Sequence, residues 1–217
     1  MKFPVRLRTF RFQTCWMLAL ACLLPVRDSV GQGTIVYVQP NGGPLGYGPI
    51  PGFENRPLDL DGNGMVDFTI DSTRFSAMNS SPNNRVLTIP NWDGGILLYP
   101  LEAGMLISEM PSVQGLNWEN RGSISACSTI GCLGLWLDLT AYVGVEFEIN
   151  GGRHNGWIRM HNFAGSDAGN VLDWAYETRP GVPILAGAVP EPSTWALMIG
   201  GGLLFVWFTR KKTKRTG

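Results

Sequence analysis

Between Thr34 and Ala188, glycine, proline, asparagine and aspartate interrupt the chain so often that no helix-period run longer than about ten residues survives. The 217 residues include 28 Gly and 15 Pro, a share that favours short strands and turns over long helices. The segments between the interruptions read as strands: TIVYV (34–38), MVDFTI (65–70), RVLTI (85–89), GILLY (95–99), GMLIS (104–108), NGWIRMHN (155–162) and VLDWAYE (171–177). GLWLDLT (134–140) and YVGVEFEIN (142–150) read as a hairpin turning at Ala141. In MVDFTI the alternation puts Val66, Phe68 and Ile70 on one face and Asp67, Thr69 and Asp71 on the other. In YVGVEFEIN it puts Val143, Val145, Phe147 and Ile149 inward, with Glu146 and Glu148 on the solvent side. PNGGPLGYGPIPG (40–52) reads as a long irregular surface loop. Such spacing predicts a mainly β fold, a β-sandwich or jelly-roll-like domain. No internal repeat stands out, which argues against a solenoid or a propeller.

Charge divides the chain into three parts. Every lysine lies in a terminus, whereas residues 34–188 hold seven arginines and fifteen acids, a net charge of −8. An acidic domain is a poor match to nucleic acid, because phosphates favour a basic face. At the front, Lys2, Arg6, Arg8 and Arg11 precede CWMLALACLLPV, an uncharged run of twelve residues. A basic region followed by a short apolar one is the secretory pattern, so residues 1–33 read as a signal helix cut near Gly31 to Gly33. An uncleaved anchor helix and lipid attachment at Cys22 are the other readings of this segment.

The other end is built differently. Residues 193–209 carry no charge, and as a helix they would span about 26 Å, just short of a bilayer's hydrocarbon core. Trp195 and Trp207 stand near the two ends of that run, and RKKTKR follows it. Interfacial indoles and retained bases predict one transmembrane helix with its C-terminus inside. Gly200, Gly201 and Gly202 weaken it by about 1 kcal/mol each relative to alanine, which makes a marginal anchor.

Val189-Pro190-Glu191-Pro192-Ser193, an apolar segment and a basic terminus together resemble a PEP-CTERM sorting signal. The resemblance covers residues 189–217 and marks Pro190, Glu191 and Pro192 as the recognition element. It implies export by the secretion machinery and brief arrest in the membrane. Cutting near Pro-Glu-Pro by exosortase, a membrane-embedded cysteine transpeptidase, would follow. Proteins with such tails come from bacteria that secrete exopolysaccharide, which makes exopolysaccharide a candidate partner. The motif is physically suited to being cut: two prolines hold the chain extended and non-helical outside the bilayer. Permanent anchoring beside a rigid stalk is the alternative. Upstream, His154-Asn155-Gly156-Trp157 and Ala175-Tyr176-Glu177-Thr178 are similar to segments of extracellular domains that carry this tail, which implies a β fold and a surface location.

Within the middle domain, DLDGNGMVDF holds the densest chemistry. Asp59, Asp61, Asn63 and Asp67 occupy positions 1, 3, 5 and 9 of an EF-hand-type loop; Gly64 stands at the sharp turn and Met65 would offer its carbonyl. Oxygen ligands at this spacing predict a Ca²⁺ site, because three carboxylates within nine residues repel one another without a cation. Position 12 is Ile70, not a bidentate glutamate, and Asp71 is one residue off. The affinity expected is therefore that of extracellular modules, about 10⁻⁴ to 10⁻³ M. A plain Asp/Asn/Gly turn with solvated carboxylates is the alternative.

Export also assigns the cysteines. Cys15 and Cys22 lie in the signal, which leaves Cys127 and Cys132 to pair in an oxidising compartment. So small a loop contributes roughly 2 kcal/mol. His154 and His161 are seven apart, so in an unbroken strand they face opposite ways and cannot share a zinc. No nucleophile elbow, phosphate loop or dinucleotide loop is present. Trp92, Trp118, Trp136, Trp157 and Trp174 could stack on sugars, although tryptophans of a small β domain are more often core. The expectation is a non-enzymatic surface or matrix protein sorted by its tail. A calcium-dependent carbohydrate-binding module is the first alternative, and a glycan hydrolase, for which nothing in the sequence selects a catalytic carboxylate, is the second.

Overall fold

A computed structural model of the chain describes residues 35–72, 76–91, 94–111, 113–128 and 131–190. The segment read as a signal helix, Trp92, Glu191, Pro192 and the apolar C-terminal run lie outside these residues. The described part is mainly β, as the turn density predicts, and no helix occurs in it. Among the described residues no helix is long and apolar enough to cross a membrane.

The described residues form fifteen strands in order. They are β1 (Ile35–Val38), β2 (Leu45–Tyr47), β3 (Asn55–Leu58), β4 (Phe68–Asp71), β5 (Ser76–Ser80), β6 (Arg85–Pro90), β7 (Ile96–Leu98) and β8 (Leu106–Ile107). The rest are β9 (Asn117–Glu119), β10 (Arg121–Ser128), β11 (Gly131–Leu133), β12 (Leu139–Ile149), β13 (Gly152–Asn162), β14 (Gly169–Glu177) and β15 (Ile184–Leu185). Thirteen of them form one sheet along the path β1-β14-β13-β12-β6-β7-β10-β5-β4-β3, with β2 beside β14, β9 beside β6 and β11 beside β10. The remaining two, β8 and β15, pair only with each other. The expected two facing sheets are thus replaced by one hydrogen-bonded sheet that curls upon itself. Its two ends share a core: Phe68 of β4 lies edge-on to Phe147 of β12, and the Arg56 Nε of β3 donates to the Gly46 carbonyl of β2 at 2.9 Å. Register shifts at Ser123/Ser125 and Arg159/Met160 supply local twist for the curl.

Two apolar clusters lie on opposite faces of this sheet. The inner one gathers Phe68, Ile70, Met78, Val143, Val145, Phe147, Trp174 and Tyr176. The outer one gathers Leu87, Leu101, Trp157, Ala175, Ile184 and Ala186, beneath the segments that carry β8 and β15. Strands β12 and β13 are long because β-branched and aromatic residues alternate on both faces. The Asn150-Gly151 pair joins them, with φ of 52° and 81°, the left-handed pair that a type I′ hairpin requires.

Four local expectations are corrected. Ala141 is no turn: it pairs with Met160 inside the continuous β12, and the Gly144 that follows lets Leu87 and Leu101 approach the strand. Residues 40–52 are not wholly irregular, since β2 docks on β14 and buries Tyr47, whose hydroxyl donates to Asn162 at 3.2 Å. That docking needs Gly169, where a methyl group would collide with the Tyr47 phenol and the His161 carbonyl. Val66 precedes β4 and is exposed, while Asp67 turns inward and is buried. Glu146 does not face solvent; it is 3% exposed, for reasons given below.

Candidate functional site

The loop from Asp59 to Asp67 joins β3 to β4 and is shaped by its own side chains. Asp59 accepts from the backbone N–H groups of Gly62 (2.8 Å), Asn63 (3.2 Å) and Gly64 (2.8 Å). Asp61 accepts from the Asn63 N–H at 3.1 Å, and Asn63 Oδ1 accepts from the Met65 N–H at 2.7 Å. Gly62 and Gly64 sit at φ of 76° and 87°, which only glycine adopts freely. The loop is fastened to the core at its flanks. Trp174 Nε1 donates to the Leu60 carbonyl at 3.1 Å, and Asp67 Oδ2 accepts from the Leu60 N–H at 2.8 Å. Asn84, from the turn before β6, donates to both the carbonyl and the carboxylate of Asp67.

This folding brings carboxylate oxygens of Asp59, Asp61 and Asp67 within 4.8 Å of one another. Oxygens bound to one Ca²⁺ at 2.3–2.6 Å can be at most about 5 Å apart, and the three carboxylates stay inside that limit. Burial pushes the Asp67 carboxyl above its ordinary value; the Leu60 N–H pulls it back, and the charges of Asp61 and Asp59 push it further up. A divalent cation would relieve that repulsion. Tyr176 feels the same charges: burial and then Asp61, Asp67 and Asp59 raise its phenol. Ile70 is fully buried in the inner core and cannot serve as the twelfth-position ligand, and Asp71 is not in the carboxylate group. Beside the loop lies a cleft of about 400 Å³ lined by Asn63, Met65, Asn83, Asn84, Glu148 and Asn150. Asn84, Trp174 and Tyr176 escaped the sequence reading, because segments distant in sequence carry them to the loop.

The other candidates sort by what they touch. Glu146 is the hub of an ion cluster: its Oε1 accepts from Arg85 Nη2 and Arg153 Nη1, each at 2.7 Å, and from Arg85 Nε at 3.2 Å. Arg85 in turn lies 5.6 Å from the ring centre of Trp118. His154 is buried against the Glu177 carbonyl, and His161 sits beside Thr140 on the other face of β13. Trp136, Trp157 and Trp174 are core residues whose indole N–H groups bind the carbonyls of Leu98, Ala188 and Leu60. Trp118 is half-buried and donates to Ser108 and Glu109. Cys127 of β10 is the cross-strand partner of Cys132 of β11. Directly opposed antiparallel residues have Cα atoms about 4.5–5.5 Å apart, inside the range a disulfide spans. Pro190 is exposed at the end of the described chain.

Residues 188–212 match the PEP-CTERM protein-sorting motif. No curated protein and no solved structure matches the chain. The motif implies export through a membrane-anchored intermediate to the envelope, and processing by exosortase, a membrane enzyme.

Proposed function

We propose that this chain is a non-enzymatic surface or matrix protein whose function is placement. The secretion machinery exports it by residues 1–33, the apolar tail arrests it, and cutting at Pro190, Glu191 and Pro192 frees the acidic β domain. The sorting motif at residues 188–212 carries this reading, because it stands directly behind the folded domain. A Ca²⁺ ion held by Asp59, Asp61, Asn63, the Met65 carbonyl and Asp67 would stabilise the β3–β4 loop, and a Cys127–Cys132 disulfide would brace the β10–β11 hairpin. Clustered carboxylates and the cross-strand cysteine register support these two features. The test is the intact mass of the protein from native cells, separated into membrane and medium. A chain ending near Pro190 to Pro192 outside the membrane is expected; a full-length chain in the membrane fraction refutes release.

A second reading, calcium-dependent binding of exopolysaccharide, draws on the amide-rich cleft beside the loop. Asparagine amides and the Glu148 carboxylate match sugar hydroxyls, but among the described residues no aromatic ring lines the cleft as a stacking platform. Calcium-dependent retention on the secreted polysaccharide, lost on Asn83→Gly with Asn150→Gly, which remove the amides and keep both left-handed positions, would support it over a purely structural role.

A further inference from the structure

The last described residues of the domain are tied down at successive points. The Gly181 N–H donates to the Arg153 carbonyl at 2.8 Å, and the Asn155 amide to the Val182 carbonyl at 2.9 Å. Ile184 and Leu185 pair with Ile107 and Leu106. Ala186 donates to Met105 at 2.8 Å and accepts from Gly104 at 2.9 Å. Gly187, at φ 79°, passes so close to Tyr142 that a methyl group would lie 2.9 Å from its hydroxyl. Finally, the Ala188 carbonyl accepts from Trp157 Nε1 at 3.1 Å. Trp157 is 1% exposed and meets Tyr142 edge-on at 5.2 Å, so the donor is fixed. Val189 and Pro190 are exposed. Among the described residues, the sorting motif thus begins on the last one seen hydrogen-bonded to the domain.

We infer that the strap from Gly181 to Ala188 is a presentation device: it delivers Pro190-Glu191-Pro192 to the membrane transpeptidase from the rigid edge of the domain, without a spacer. The inference rests on the tail being a processed sorting signal. Pro190 is two positions beyond Ala188, a reach of at most about 7 Å, and the uncharged run from Ser193 starts within about 18 Å of Ala188. A substrate segment leaving a fixed point has less conformational freedom to lose on entering an enzyme than one on a flexible tether. The same edge exposes apolar side chains. Leu106 and Leu185 are exposed cross-strand neighbours, with Val189 just beyond, a surface suited to a domain held this near a bilayer.

The test inserts Gly-Gly-Ser-Gly-Gly-Ser between Ala188 and Val189 of the full chain, which leaves the strap and the Val-Pro-Glu-Pro sequence intact. Tail loss is followed by pulse-labelling and intact mass in cells that process the unmodified chain. We expect the domain's melting temperature to be unchanged and tail loss to slow by about fivefold or more. Trp157→Phe, which keeps a ring but removes the N–H to Ala188, should slow it in the same direction by less. Processing of the insertion variant at the unmodified rate would overturn the presentation role while leaving the sorting function standing. A tail never lost from the unmodified chain would overturn the sorting reading itself.

Discussion

The sharpest prediction concerns the loop between β3 and β4, where Asp61→Asn should separate cation binding from loop shape. The Asp61 carboxylate accepts the Asn63 N–H at 3.1 Å and the Asn63 side-chain amide at 3.0 Å, and it places one of three charges within 4.8 Å of the others. An asparagine keeps an oxygen for the N–H and loses the charge. Without calcium the variant should melt within about 2 °C of the native domain, since one lost Asn63 Nδ2 bond is offset by relief of like-charge repulsion. With a dissociation constant of about 10⁻⁴ to 10⁻³ M, 5 mM Ca²⁺ stabilises the native domain by about 1 to 2.3 kcal/mol. For a domain of this size that is a rise of about 2–9 °C in melting temperature. In Asp61→Asn the rise should fall below about 1 °C, and equimolar Mg²⁺, which demands an octahedral cage, should produce little of it in the native domain. The assay is thermal unfolding followed by intrinsic tryptophan fluorescence after exhaustive chelation. A native domain that does not shift at 5 mM Ca²⁺ would reduce the loop to a turn held by its own hydrogen bonds. An equal shift in Asp61→Asn would put the ion elsewhere.

Other outcomes follow from single contacts. Arg85→Ala and Arg153→Ala should each cost under about 1.5 kcal/mol in denaturant unfolding, because the other arginine still compensates Glu146; the double variant should cost more than the sum, about 3–5 kcal/mol, as the buried carboxylate is left alone. Strict additivity in that cycle would show that Glu146 does not depend on the pair. Tyr47 is buried and its phenol is pushed well above the ordinary value, so the folded state favours the protonated form; stability is full below pH ~10, the unfolded value, and is lost as pH rises beyond it. Absorbance titration should show this tyrosine ionising only with unfolding, and Tyr47→Phe should shrink the alkaline loss of melting temperature. Exported protein should have a mass lower by two hydrogens than its reduced form, from Cys127 paired with Cys132; two free thiols would remove the disulfide.

Much of the fold was legible because it depends on local chemistry. Turn residues set where strands stop, and alternation in VGVEFEI put Val143, Val145 and Phe147 into the core as expected. The odd spacing of His154 and His161 separated them, because β13 pairs with β12 without a register shift. The grouping of the Asp59, Asp61 and Asp67 carboxylates was legible for the same reason: the three residues lie within one short loop. What failed depended on partners far along the chain. Glu146 reads as a solvent-side residue by alternation, yet Arg85 of β6 and Arg153 of β13 close over it. Tyr47 reads as loop, yet β14 offers Gly169 as a seat for it.

The sequence by itself determined a mainly β chain with a sorting motif at its end, since both follow from residue types at short spacing. Only the tertiary structure decided that thirteen strands make one curled sheet, because strand order is a matter of long-range pairing and not of pattern. It also decided that Trp157, which alternation alone makes an ordinary strand residue, reaches Ala188 across 31 positions and holds the chain at the point where the motif begins.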